Sequence, residues 1–250
     1  MIHRHEKMKE IALVIPVYNH ANEVGRVIEG CLSLEVPIYV VDDGSTDDSY
    51  KVASRYHGVI VLRHDRNLGK GAALLTGFSA ASKVARWAAT IDADGQHDPA
   101  DSIQLLKSIS PHQRPIVLGR RVGMEGGNVP WTSRFGRGFS NFWVWMAGGR
   151  IVFDSQSGFR IYPLPEILTL KTKARRFQFE VEILVIACWN RFPILEVPVS
   201  VSYQAEDLRV SHFRPFVDFW RNAFTFTRLI AMRILIPRPI RVRIFTRLSR

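Results

Sequence analysis

Cysteine is scarce: Cys31 and Cys188 are the only two in 250 residues, and each sits alone in an apolar helical context. That excludes a disulfide scaffold or a cysteine-rich zinc site and points to reduced core thiols. No uninterrupted apolar run reaches the roughly 18 residues of a membrane span. Met1 to Glu10 is charged and too polar for a secretory signal, so the catalytic part is expected in the cytosol. Internal repeats, low-complexity segments and long Ser/Gly/Pro linkers are also missing. With 46% hydrophobic residues, the chain can bury one substantial core. Acid is nearly absent from the last stretch, where residues 209–250 hold ten arginines and a single carboxylate, Asp218. Most of the formal charge of +11 therefore belongs to the tail, and the body is close to neutral.

What is present alternates strand and helix. Ile11 to Ile15 and Trp87 to Ile91 read as buried strands, and Ile38 to Val41, Val59 to Leu62 and Ile116 to Leu118 as further strands. Between them, Glu23 to Leu34 and Gly69 to Ala81 read as helices, and Ser45 or Thr46 can cap another that runs through Tyr50 and Val52. Short parallel strands in βαβ repetition predict an open α/β sheet whose ligands gather at the carboxyl ends of the strands. The second half predicts helices over Trp131 to Ala147 and Gln178 to Trp189. It also predicts a strand over Phe159 to Tyr162 and another over Ile194 to Val201, which Pro198 assigns to a sheet edge.

Acidic motifs fall where strands end. Asp92-Ala93-Asp94-Gly95-Gln96-His97-Asp98-Pro99 places two carboxylates two residues apart as the chain leaves a strand. Hard oxygen donors in that position suit Mg2+ or Mn2+, which can bridge a carboxylate pair and a diphosphate. Asp42 ends an earlier strand and can accept a hydrogen bond from a base N–H, while Pro16 and Tyr18 can form an apolar wall for a base or ribose. Asp43 can contact the ligand or organise the turn. His97 can be an imidazole ligand or a loop residue, and Asp98 before Pro99 is placed to cap the next helix. Gly69-Lys70-Gly71 lacks the spacing of a P-loop but can open a helix whose N–H groups face an anion.

Taken in order, these segments resemble glycosyltransferase family 2, in particular its dolichyl-phosphate mannosyltransferase-like polyprenyl-phosphate sugar transferases. The residues that carry the resemblance are Pro16-Val17-Tyr18-Asn19 with Glu23, Asp42-Asp43-Gly44-Ser45, Asp65-Arg66-Asn67-Leu68-Gly69-Lys70-Gly71, Asp92 to Pro99, Gly119-Arg120-Arg121 and Ser157-Gly158-Phe159-Arg160. The resemblance implies a GT-A fold, a mostly parallel open sheet flanked by helices, with residues 11–212 as the catalytic domain between a flexible segment 1–10 and a basic extension 213–250. It also implies a GDP- or UDP-sugar donor held by Pro16, Tyr18, Glu23, Asp42, Asp65, Lys70 and Asp92. Asp92, Asp94 and Gln96 would hold the metal.

For the acceptor, the resemblance implies a polyprenyl or related lipid phosphate. Such an oxygen is already anionic, so attack, expected to invert the sugar, needs positioning and charge neutralisation more than a base. Arginine supplies both through paired donors. Arg121 and Arg134 match the resemblance as catalytic residues. Arg120, Ser157, Arg160, Arg209 and Ser211 complete the expected acceptor set, and Arg160 can instead pair with Asp154. A hydroxyl acceptor on a glycan or specialised glycolipid is the alternative, with Asp154, Glu180 or Glu182 as candidate bases. A catalytically silent membrane-binding scaffold is the opposed class. From Phe213 to Ile236 aromatic residues alternate with arginines, as in a helix lying at the cytosolic face of an anionic membrane, with Pro237 and Pro239 ending it. The same side chains can pack on the domain. No nucleic-acid module is present.

Overall fold

The computed structural model describes residues 10–122, 131–201 and 215–247, with the side chains of 131–135 and 215–219 left out. Seven strands form one sheet: β1 (Ile11–Val17), β2 (Ile38–Asp42), β3 (Val59–Arg63), β4 (Trp87–Thr90), β5 (Ile116–Arg121), β6 (Arg160–Pro163) and β7 (Ile194–Val199), in the order β3-β2-β1-β4-β6-β5-β7. Strands β3, β2, β1 and β4 run parallel. Strand β6 is antiparallel to both β4 and β5, and β7 pairs parallel with β5 at the edge. Pro198 is exposed on that edge strand, where its missing N–H costs no interior ladder bond.

Helices α1 (Val24–Leu32), α2 (Ser49–Ala53), α3 (Lys70–Ala81), α4 (Asp101–Lys107), α5 (Trp131–Gly148), α6 (Phe179–Trp189), α7 (Pro215–Leu235) and α8 (Arg238–Phe245) flank the sheet. Both faces of β1 and β2 are buried, as continuous apolar strands require when helices cover the two sides. Helix α3 lies very close to the sheet. A β-carbon on Gly77 would come within 2.3 Å of Val14 Cγ1, so only glycine lets the helix settle at this depth. Cys31 and Cys188 are both free, and burial pushes the Cys31 thiol up to about 12, as expected of an inert core thiol.

The end of the chain differs from expectation at its prolines. Helix α7 does stop at Leu235, but Pro237 and Pro239 then open α8, because proline fits the first turn of a helix where no N–H is needed. Phe226, Leu229 and Phe245 pack into the core beside α6, whereas Phe224, Ile234, Leu235 and Ile240 stand in solvent. Among the described residues no helix is long and apolar enough to cross a membrane.

Among the described residues Arg160 is the largest fully buried side chain. Its guanidinium donates to the carbonyls of Ser157 (2.6 Å), Ser155 (2.8 Å) and Glu180 (2.8 Å) and to the Tyr162 hydroxyl (3.2 Å). It thus joins β6, the loop before it and the start of α6. Replacing it with methionine would strand those carbonyls without donors. Arg160→Met is expected to lower unfolding free energy by roughly 3 kcal/mol, measured by urea denaturation, and a loss below about 0.5 kcal/mol, the range of ordinary surface substitutions, would contradict the assignment.

Candidate active site

Strands β2, β1 and β4 are neighbours, and the order turns around β1, the switch point where open α/β sheets form a crevice. The loops after β1 and β2 are laced together. Ser45 Oγ accepts from Asn19 N (3.0 Å), Asn19 Oδ1 from Thr46 N (2.8 Å) and Ser49 Oγ from His20 N (2.8 Å). This lacing joins the loop after β1 to the loop after β2, where Val17 pairs with Asp42 in the sheet and His20 Nδ1 lies 3.7 Å from Glu23 Oε2. Asp42 is fully buried; its Oδ1 accepts from Ser45 N (3.2 Å), and its Oδ2 lies 3.0 Å from Arg63 Nε. Asp43 organises the neighbouring loop rather than facing outward. It accepts from His64 Nδ1 (2.7 Å), Leu68 N (2.9 Å) and Gly69 N (2.7 Å). Asp65, on that loop, is exposed.

Lys70 begins α3, a position where the helix dipole disfavours a cation. Two carboxylates hold it there: Nζ is 2.7 Å from Asp92 Oδ1 and 2.9 Å from Glu180 Oε1, with Lys70 and Glu180 largely shielded from water. Burial alone would lower the ammonium pKa, but the charges of Asp92 and Glu180 outweigh it and hold Lys70 above its usual range. Conversely, burial would raise Asp92, and the Lys70 charge holds it below the ordinary carboxylate range. The pair lies against the backbone of Gly158, where an added β-carbon would sit 2.3 Å from Asp92 Oδ2 and 2.8 Å from Lys70 Nζ. Thr90 fixes that segment by donating to the Gly158 carbonyl at 2.6 Å.

Asp94 and Gln96 follow in the same loop, half-buried, with Asp94 Oδ1 accepting from Gln96 N at 3.0 Å. His97 is buried and stacked on Phe159 at 5.1 Å; burial pushes its pKa down to about 4, so the ring is neutral near pH 7. Asp98 Oδ1 accepts from Ala100 N (2.9 Å) just ahead of α4. Among the described residues there is no group of three or more His, Cys, Asp or Glu able to cage a metal. The oxygen donors of Asp92 and Asp94 nevertheless suit a hard divalent ion that takes its other ligands from a diphosphate, the usual arrangement for Mg2+ at phosphate sites. Sequence names Glu180 only as one of three candidate bases; its pairing with Lys70 joins residues 110 positions apart and is set by the tertiary fold.

The expected acceptor residues are less well gathered. Arg121 forms a two-point pair with the fully buried Asp154, at 2.8 Å from each guanidinium nitrogen, and also donates its backbone N–H. Arg160 is turned inward, as described above, and makes no hydrogen bond with Asp154. Arg120 lies 5.7 Å from the Phe153 ring, and Ser157 is buried with its hydroxyl lacking a hydrogen-bond partner. The Arg134 side chain, Arg209 and Ser211 lie outside the described residues. Of the three candidate bases, Asp154 is held by Arg121, and Glu182 by Arg228 and the N–H groups of Lys173 and Ala174. Only Glu180 joins Lys70 and Asp92.

The sequence profile described as "Glycosyl transferase family 2" matches residues 12–168. The chain belongs to that family. This family 2 glycosyltransferase is 32% identical over 217 residues to the UDP-N-acetylglucosamine–dolichyl-phosphate N-acetylglucosaminyltransferase of Methanococcus voltae, covering 78% of this chain and 86% of that one. Its GT-A-like fold is shared with glucosyl-3-phosphoglycerate synthase from Mycobacterium tuberculosis, solved with Mn2+, UDP and phosphoglyceric acid. There the TM-score is 0.66 at 23% identity, over 92% of this chain and 80% of the other. Mannosyl-3-phosphoglycerate synthase from Rubrobacter xylanophilus is similar at a TM-score of 0.64 and 19% identity, over 93% and 76%.

These findings correct the expectation of a dolichyl-phosphate mannosyltransferase-like enzyme with a lipid-phosphate acceptor. In the solved synthase the molecule bound with UDP is phosphoglyceric acid, not a polyprenyl phosphate. The geometry agrees, since Arg121 and Arg160, both expected to neutralise a lipid phosphate, are committed to internal acceptors. Gly158→Ala is expected to displace Asp92 and Lys70 and to cut donor-dependent turnover on the order of 100-fold with the fold intact. Parent-like turnover in a sugar-release assay would contradict the close packing of this pair.

Proposed function

We propose that the protein transfers a sugar from a UDP-sugar to a hydroxyl group of a glycan or glycolipid acceptor, with Mn2+ or Mg2+ as cofactor. The observation that carries this reading is the convergence of Lys70, Asp92 and Glu180 at the carboxyl edge of the sheet, with Asp94 two residues on. In the reaction, the bond between the anomeric carbon and the diphosphate oxygen breaks and its electron pair leaves with UDP. The acceptor oxygen bonds to that carbon and its proton passes to solvent. Pro16, Tyr18, Glu23 and Asp42 would hold the nucleoside end, with Asp65 at the rim. Lys70, fixed at the positive end of α3, would place a cation beside the diphosphate where the helix N–H groups also point.

Asp92 and Asp94, with Gln96 beside them, would hold the divalent ion. When bound, such an ion neutralises charge on the departing diphosphate. With UDP-glucose or UDP-N-acetylglucosamine and Mn2+, glycosylated product is expected on a panel of glycan and glycolipid hydroxyls. EDTA or Asp94→Asn is expected to abolish it. No product from any hydroxyl, or undiminished turnover in EDTA, would contradict the reading.

A membrane-surface location is supported by a separate observation. Phe224, Ile234, Leu235, Ile240 and Ile244 are exposed along α7 and α8 together with the arginines at 221, 233 and 243. Apolar tips among cations suit the interface of an anionic bilayer, where each buried apolar side chain contributes about 1.5–3 kcal/mol. Phe224→Ser with Leu235→Ser is expected to lower partition onto phosphatidylserine-containing vesicles at least about tenfold, read by cosedimentation. Unchanged partition would contradict the location.

A further inference from the structure

Lys70 has three N–H donors and a single positive charge, and two carboxylates share it. Asp92 Oδ1 is 2.7 Å away and Glu180 Oε1 2.9 Å away, and Gly158 closes the side where Asp92 Oδ2 and Lys70 Nζ come together. The two carboxylates differ in what surrounds them. Asp92 stands at the end of β4 at the head of the loop that holds Asp94, with 27% of its side chain exposed. Glu180 is 9% exposed in the first turn of α6, anchored through its backbone carbonyl to the buried Arg160. One carboxylate is therefore open to a ligand, and the other is locked in the wall.

A cation that binds Asp92 must contend with the ammonium already there. Two positive charges within a few ångströms on one carboxylate repel strongly in a partly shielded site. Lys70 must then withdraw or stay and oppose the ion. Glu180 offers it somewhere to go without losing a charged partner, because the ammonium already touches it. No other carboxylate among the described residues is paired with Lys70.

We infer that Glu180 is a positioning residue that retains Lys70 when Asp92 is taken by the divalent ion, so that the ammonium is handed from one carboxylate to the other and remains beside the diphosphate. This rests on the proposed function and deepens it. In the resting protein Lys70 neutralises Asp92; with the ion and nucleotide in place, the Lys70–Glu180 pair carries the ammonium alone. Glu180 thereby sets how tightly the ion is held without touching it.

The test is calorimetric titration of MnCl2 into the UDP-saturated protein, beside UDP titration in EDTA. Glu180→Gln keeps the shape of the side chain and removes its charge. It is expected to weaken Mn2+ binding by about tenfold, because Lys70 then stays on Asp92, while metal-free UDP affinity remains close to that of the parent. Glu180→Asp, which restores the charge, is expected to recover part of the loss. In the Glu180→Gln background, Lys70→Gln removes the competing ammonium and is expected to bring Mn2+ affinity back up. Such non-additivity is not produced by a merely structural defect. Unchanged Mn2+ affinity in Glu180→Gln, or an equal loss of metal-free UDP binding, would overturn the inference alone. Failure of the parent protein to take up Mn2+ with UDP would overturn the metal reading and this inference with it.

Discussion

An ammonium held between two carboxylates organises this molecule. Lys70 sits where a helix dipole repels it, and it stays because Asp92 and Glu180 come to it from a strand end and from the start of another helix. For those three groups to meet, α3 must lie close on β1, the segment before β6 must carry no side chain at Gly158, and α6 must begin beside both. Each condition has its own residue: Gly77 under α3, Gly158 against the ion pair, and Arg160 binding the carbonyls of Ser155, Ser157 and Glu180. The buried arginine is the mechanical support and the ion pair is the chemical result.

A second layer ties the C-terminal helices to the same place. Glu182, two residues beyond Glu180, points away from the site and receives Arg228 from α7 along with the N–H groups of Lys173 and Ala174. The next residue, Arg175, offers its carbonyl to Ala72 N at 3.0 Å, at the first turn of α3. One face of α7 is therefore built into the wall behind the candidate donor site, and Phe226 and Leu229 bury beside it. The opposite face carries the exposed apolar residues. Interior packing and a solvent-facing apolar strip coexist on one helix because they occupy different sides of it.

Much of the parallel half of the fold was legible because its strands are short apolar runs, two of which stop at Asp. Ile38 to Asp42 and Trp87 to Thr90 announce both the strand and the acidic loop that follows. The antiparallel insertion of β6 between β4 and β5 was not legible, since Arg160 to Pro163 pairs with residues far away in sequence. Pairing also explains the mistaken acceptor. Arg121 and Asp154 are 33 residues apart and nothing in their spacing reveals a two-point contact, so an arginine that looked available for a phosphate was already taken. The strand-end positions of the candidate donor residues could be read locally, whereas their charge partners depend on tertiary structure.

The central claim is that this carboxyl edge receives a nucleoside diphosphate and a divalent ion together. Anomalous diffraction at the manganese absorption edge, from crystals soaked in UDP and MnCl2, tests it directly. The account predicts a single strong peak against the Asp92 and Asp94 carboxylates, with the diphosphate in contact with both the ion and Lys70. A peak elsewhere, or UDP bound with its diphosphate away from Lys70, would contradict it.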